Sequence, residues 1–141
     1  MTTVYKLTDA KMQTHGGFQW TLGETAKTDG RGDLCGSGWL HYYSDPLLAV
    51  FLNPVHANYG SDMRLFRATA GPVQKHDRGL KSGTTELTLV EELRVPRVTP
   101  AQCAKFARLC SDWAASAATG PRLAHDAIGA QLAAMARKAA E

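Results

Sequence analysis

Residues 34–54, LCGSGWLHYYSDPLLAVFLNP, decide how the chain reads as a fold. The first half, GWLHYYS, has the aromatic-rich composition of a strand. In a strand successive side chains point to opposite faces. Trp39, His41 and Tyr43 therefore share one face, and Leu40 and Tyr42 share the other. The second half changes period. Ser44 or Asp45 is placed to cap a helix, and Pro46 suits its first turn. Leu47, Leu48, Phe51 and Leu52 then make a short apolar stripe, and Pro54 reads as the stop. A strand runs straight into a short helix over 45–53.

Outward from that junction, both flanks are strand-rich. TVYKLT near the N-terminus alternates, and GGFQW leads into a turn at Gly23. The stretch KTDGRGDL carries two turn signals, Asp29-Gly30 and Gly32-Asp33, so its Arg31-Gly32-Asp33 tripeptide is read as a turn and not as an integrin ligand. DMRLFRATAG alternates again, with Met63, Leu65 and Arg67 on one face and Arg64, Phe66 and Ala68 on the other. PVQKHDRGLKSG reads as a polar connection. TTELTLVEELRVP reads as a strand with Thr85, Leu87 and Leu89 on one side, ending at Pro96.

The helices follow. Thr99 is an N-cap, Pro100 sits at the first helical position, and Gln102 completes a capping box. Cys103, Phe106, Ala107, Cys110, Trp113, Ala114 and Ala117 recur at helical spacing over 99–118, which predicts one face packed on the sheet. Gly120-Pro121 breaks the pattern. The alanine-rich segment 121–140 is helical by propensity, with a weaker stripe at Leu123, Ala127, Leu132, Met135 and Ala139. That helix is either packed or partner-facing. Strands segregated from helices imply an α+β fold: one domain over residues 1–141, mainly strands over 1–98, with a largely antiparallel sheet.

Composition narrows the function classes. A chain of 141 residues buries enough surface for a core without metals or cross-links. No apolar run approaches the roughly 20 residues that span a bilayer. No signal peptide is visible at the N-terminus, so the cytoplasm is the expected compartment. Cys35, Cys103 and Cys110 are odd in number and lack C-x-x-C spacing, which argues against disulfides and structural zinc. A net charge of +3, spread among acidic residues, implies at most weak, non-specific nucleic-acid binding; tight binding to one sequence would contradict this and point to Arg64 and Arg67. His15, His56, His76 and His125 are read as lying in loops or near helix ends, and none has metal-ligand spacing to another ligand. Gly36-Ser37-Gly38 is the nearest approach to a nucleophile elbow, and a turn explains it. No cofactor-binding motif of the G-x-G-x-x-G or P-loop type is present. These absences leave no catalytic residue assigned.

The motifs YKLTD, GFQWTLGET, LCGSGWLHYYSDPLLAVF, FRATAG, GLKSGTTELTLVEEL and VTPAQCAKFARLCSDWA, in that order, resemble a family of small phage and prophage proteins of unassigned function. Cys35, Gly38 and His41 match that family's cysteine-then-glycine-histidine block, and the likeness stops at the alanine-rich tail. It implies a phage origin, in a bacterial host's cytoplasm, and supplies no chemistry. Small size, the lack of a catalytic signature and exposed aromatics fit an accessory protein that acts without catalysis and binds a host protein, as an anti-defence (anti-CRISPR-like) inhibitor would. Trp39, His41, Tyr43, Arg64 and Arg67 are the expected contact residues, because aromatic and arginine anchors dominate interfaces. A second copy of the chain, giving a homodimer, is the other expected partner. A more distant likeness is to ADP-ribosyltransferase-type folds, which implies NAD as substrate. Those enzymes hold NAD with an arginine or histidine on the first strand, where this chain has Tyr5 and Lys6. Their late catalytic glutamate would have to be Glu86, Glu91 or Glu92.

Overall fold

The computed structural model describes residues 1–120, 123 and 125–141. Its spine is a four-stranded antiparallel sheet made of β1 (Thr2–Thr8), β6 (Arg64–Ala70), β9 (Glu86–Leu93) and β4 (Thr25–Lys27), in that spatial order. A hairpin of β2 (Gln13–Thr14) and β3 (Phe18–Gln19) projects after β1. A second sheet, in the order β5-β8-β7, combines β5 (Leu40–Tyr42), β8 (Lys81–Thr84) and β7 (Gln74–Asp77). A backbone bridge joins the edges of the two sheets. Tyr5 and Tyr43 exchange both backbone hydrogen bonds, each at 2.8 Å, so β5 continues off the free edge of β1. The helices are α1 (Pro46–His56), α2 (Pro100–Ala117) and α3 (His125–Ala140). This is the α+β architecture expected, in a single domain.

Alternation along β1 and β6 divides the core in two. Leu7 and Leu65 face a layer of helices, where Leu48, Phe51, Phe106, Leu132, Met135, Ala136 and Ala139 pack. Val4, Phe66, Ala68 and Ala70 face the other way. They pack with Leu87 and Leu89 of β9 against Trp20, Leu40 and Tyr42. The register of β6 against β9 shifts between Arg67 and Ala68, where Glu91 and Leu89 are the successive partners. Val90 is the extra residue of that bulge.

The junction at residues 44–46 forms as its chemistry requires. Asp45, not Ser44, is the cap: its carboxylate accepts from the backbone N–H groups of Leu47 and Leu48 at 2.9 and 3.3 Å. Asp45 also pairs with Arg137 of α3 at 3.0 Å. Pro54 is not the stop. It lies inside α1, which runs on to His56, and the Asn53 carbonyl accepts the Ala57 N–H beyond it at 3.0 Å. A proline in the last turn removes one hydrogen bond there without ending the helix. Six consecutive residues of α1, Leu48 to Asn53, are buried, so the middle of this helix is enclosed all round, while Pro54 and Val55 in its last turn are exposed.

Helix α2 has the predicted cap, proline and capping box. Its stripe packs differently from expectation. Phe106 is buried and stacks on Phe51 at 4.8 Å, while Cys103, Cys110 and Trp113 are half-buried. Most of α2's contact is with α3, which lies between α2 and α1 and covers the sheet with them. Leu132, Met135 and Ala139 of the tail stripe are buried, making α3 a packed helix; Leu123 and Ala127 are exposed. The expected break at Pro121 and the side chain of His125 lie outside the described residues.

The supposed polar connection at 72–83 is a hairpin. Its strands pair from Gln74–Thr84 to Asp77–Lys81, so His76 stands in a strand and not in a loop. At its tip Gly79 has φ of 79°, and a Cβ there would lie 2.4 Å from the Gly129 nitrogen of α3. Only glycine allows both that backbone conformation and that approach.

Candidate functional site

Where β5 leaves the edge of β1, the two sheets and the end of α1 enclose a cleft of about 640 Å³, within the range of small-molecule sites. Trp39, His41 and Tyr43 all line it, as the strand alternation predicted. They do so as an interior wall. Tyr43 is only 9% exposed and belongs to the helix-side core, so it is not the exposed contact residue expected; Trp39 and His41 are half-buried. The burial follows from the bridge to Tyr5, which draws Tyr43 under α1.

The turn at residues 29–38 holds Trp39 in place. The Gly30 N–H donates to the Gly38 carbonyl at 2.9 Å, and the Asp29 carboxylate accepts from the Arg31 N–H at 3.0 Å. A Cβ on Gly38 would lie 2.1 Å from the Arg31 carbonyl oxygen, so this position requires glycine. The Gly32 carbonyl accepts from both the Trp39 indole N–H and the Lys75 ammonium, each at 3.2 Å, and Lys75 lies 5.5 Å over the indole ring. Arg31-Gly32-Asp33 thus builds the turn that pins a tryptophan on the cleft wall.

Two histidines have defined roles. The His41 Nε2 donates to the Leu34 carbonyl, which fixes the tautomer and leaves Nδ1 as an acceptor. Burial lowers the His41 pKa, against the pull of that carbonyl. The Tyr43 hydroxyl lies 2.5 Å from Nδ1 of His56. Burial raises the Tyr43 pKa, so the phenol keeps its proton and donates it to His56. Burial, and then the charge of Lys81, lower the pKa of His56. Asn53, itself 7% exposed, fixes the neighbouring wall by bonding both the Tyr59 carbonyl and the Tyr59 N–H, at 3.0 and 2.9 Å.

Sequence reasoning did not find Lys6. It is 8% exposed, lines the cleft, donates to the His41 carbonyl at 2.6 Å and lies 5.2 Å over the Trp20 ring. Burial, and then Lys81, lower its pKa to about 7. The residue alternates within a strand as any exposed lysine would; only the layer of β5 and Trp20 laid over that face encloses it.

The cleft's electrostatics are one-sided. Among the described residues Lys6, His15, His41, His56 and Lys81 line it and no carboxylate does, although the charge of Asp77 reaches His56 from outside the lining. The buried Oγ1 of Thr28, also in the lining, has no hydrogen-bond partner among the described residues. Arg64 and Arg67 lie elsewhere. Arg64 forms a two-point contact with Glu92 at 2.6 and 2.9 Å, and Arg67 pairs with Glu91 at 3.0 Å. These are cross-strand ion pairs on β6 and β9. Glu86 pairs with Lys27 at 3.1 Å. None of the three late glutamates lines the cleft. Cys35 is exposed at the cleft, and all three cysteines are free thiols. Among the described residues no cluster of three or more His, Cys, Asp or Glu side chains is arranged to hold a metal ion, and no helix is long and apolar enough to cross a membrane.

Residues 2–101 match the model of a family described as a domain of unknown function, DUF7666, and the chain belongs to that family. The matched segment contains every cleft residue named above and ends just inside α2. No curated protein and no solved structure matches the chain.

Proposed function

We propose that the cleft binds a small anionic molecule carrying a flat ring, with nucleotides as the first class to test. One observation carries this reading: a cleft lined by two lysines, three histidines, Trp20 and Trp39 has no carboxylate in its lining among the described residues. A phosphate or carboxylate group gains from Lys81 and the histidines, and an aromatic ring gains from contact with the half-buried Trp39. A polar group of the ligand would also satisfy Thr28 Oγ1, which otherwise carries the cost of an unpaired buried hydroxyl. NAD falls within this chemical class, which supports the ADP-ribosyltransferase-like alternative. That alternative lacks a glutamate in the cleft. The test titrates AMP and NAD, with neutral adenosine as control, while following tryptophan fluorescence and nicotinamide release. Quenching by the nucleotides but not adenosine, weakened about tenfold or more by Lys81→Glu, is expected. Equal responses to all three, or none at millimolar concentration, would overturn it.

The order of sequence motifs supports a second reading, a phage accessory protein that captures a host protein. The burial of Tyr43 removes part of the surface on which that reading depended. A pull-down from bacterial lysate, in which His41→Ala and Trp39→Ala lose the same captured protein, would favour it over the ligand cleft.

A further inference from the structure

A buried lysine ordinarily has an anionic partner. Lys6 has none among the described residues: its hydrogen-bond acceptor is a neutral carbonyl, that of His41. The groups facing the cleft around it are themselves basic or neutral. Among the described residues they are His41 on β5, Lys81 on β8, Tyr43 on the β5 extension and His56 on α1, with His15, Cys35 and Tyr59 elsewhere in the lining. Such a site disfavours an ammonium and favours a free amine, as burial and Lys81 together indicate. A lysine amine desolvated beside another cation is activated as a nucleophile.

We propose that Lys6 condenses with the carbonyl carbon of an aldehyde or ketone bound in the cleft, forming a reversible imine. The nitrogen lone pair adds to the carbonyl carbon, and the C=O π pair moves to oxygen. The nitrogen gives up two protons, which leave with that oxygen as water when the C=N bond forms. No oxidant or reductant is needed. The neutral imidazole of His41, in the same lining and with Nδ1 left as an acceptor, is able to take and return those protons. The preferred ligands rest on the anionic-ring reading of the cleft, while the condensation itself needs only the amine and access to it.

Pyridoxal 5′-phosphate is a suitable probe, since it is an anionic aromatic aldehyde. The protein is incubated with it at several pH values, reduced with borohydride and mapped by peptide mass. The expected result is an adduct at Lys6 ahead of the exposed Lys11 and Lys27, half-maximal near pH 7, and absent in Lys6→Arg. Lys81→Gln, which keeps the amine, should move half-maximal labelling to higher pH. Labelling spread evenly over surface lysines, or an unmodified Lys6, would overturn the proposal. Two controls separate the readings. If pyridoxine 5′-phosphate, which has no aldehyde, quenches tryptophan while the aldehyde leaves Lys6 unmodified, the imine proposal fails and the anion cleft stands. If neutral benzaldehyde labels Lys6 as well as the phosphorylated aldehyde does, and pyridoxine 5′-phosphate does not bind, the imine proposal stands and the anion cleft fails.

Discussion

Tyr43 shows how one contact can reverse the role of a side chain. Its place on the Trp39/His41 face follows from alternation alone, and that face does border the cleft. Its burial depends on a backbone bridge to Tyr5, thirty-eight positions earlier in the chain, and no local pattern encodes such a pairing. The consequence is measurable. Tyr43→Ala should destabilise the fold by about 3–5 kcal/mol, the cost of truncating a large buried ring. Tyr43→Phe keeps the ring and loses the hydrogen bond to His56, so it should cost about 1 kcal/mol. Urea denaturation of both variants distinguishes these outcomes from the negligible change expected of an exposed residue. Lys6 was equally illegible. A lysine between Tyr5 and Leu7 in an alternating strand looks solvated until a second layer covers it.

At the scale of elements, legibility tracked local chemistry. The capping box at Thr99 and Gln102, the Pro46 start and the alternation of β6 were all written in neighbouring residues. The β7–β8 hairpin was not, because Gln74 to Asp77 carry no apolar alternation; its register comes from pairing along β8 with β5 and β7 on either side. Pro54 misled because a proline usually closes a helix, whereas here the Asn53 carbonyl finds its donor beyond it. The hairpin tip yields a paired prediction. Gly79→Ala forces a side chain into a positive φ and into the backbone of α3 at 2.4 Å, so it should destabilise by at least about 1–3 kcal/mol. Gly129→Ala meets only an ordinary contact, 3.6 Å from Gly79, and gains helix propensity, so it should be neutral or stabilising by up to about 1 kcal/mol. Thermal melting of the two variants compares them directly. Equal losses would mean that the tip does not seat on α3 as described.

For the whole molecule, the cleft's titrating groups shape stability against pH. Lys6 has its pKa lowered from 10.5 to about 7. Between those values the unfolded chain binds a proton that the folded chain does not, so stability should rise with pH, at no more than about 1.4 kcal/mol per pH unit. Above about pH 10 the trend reverses, because burial raises the Tyr43 pKa and the unfolded chain loses a proton that the folded chain retains. Below neutrality, the lowered pKa values of His41 and His56 mean that the unfolded state gains protons first, and stability falls again. The expected maximum lies on the alkaline side of neutral. Lys6→Met should flatten the rise and strengthen the fold at pH 7, as urea midpoints measured across the range would show. A neutral optimum unchanged by Lys6→Met would mean that the amine is solvated and charged.

The α3 helix lies wholly beyond the matched segment, which ends at residue 101, yet its Ala136 and Ala139 are fully buried in the same core as Leu48 and Leu65. The family boundary is therefore not a boundary of cooperative unfolding. Tail and matched segment should melt in a single transition, and a chain cut after residue 101 would uncover the helix-side core built on Leu48, Phe51 and Leu65. Such a fragment should bind hydrophobic dye, lose its fixed tertiary packing while keeping much of its strand content, and self-associate.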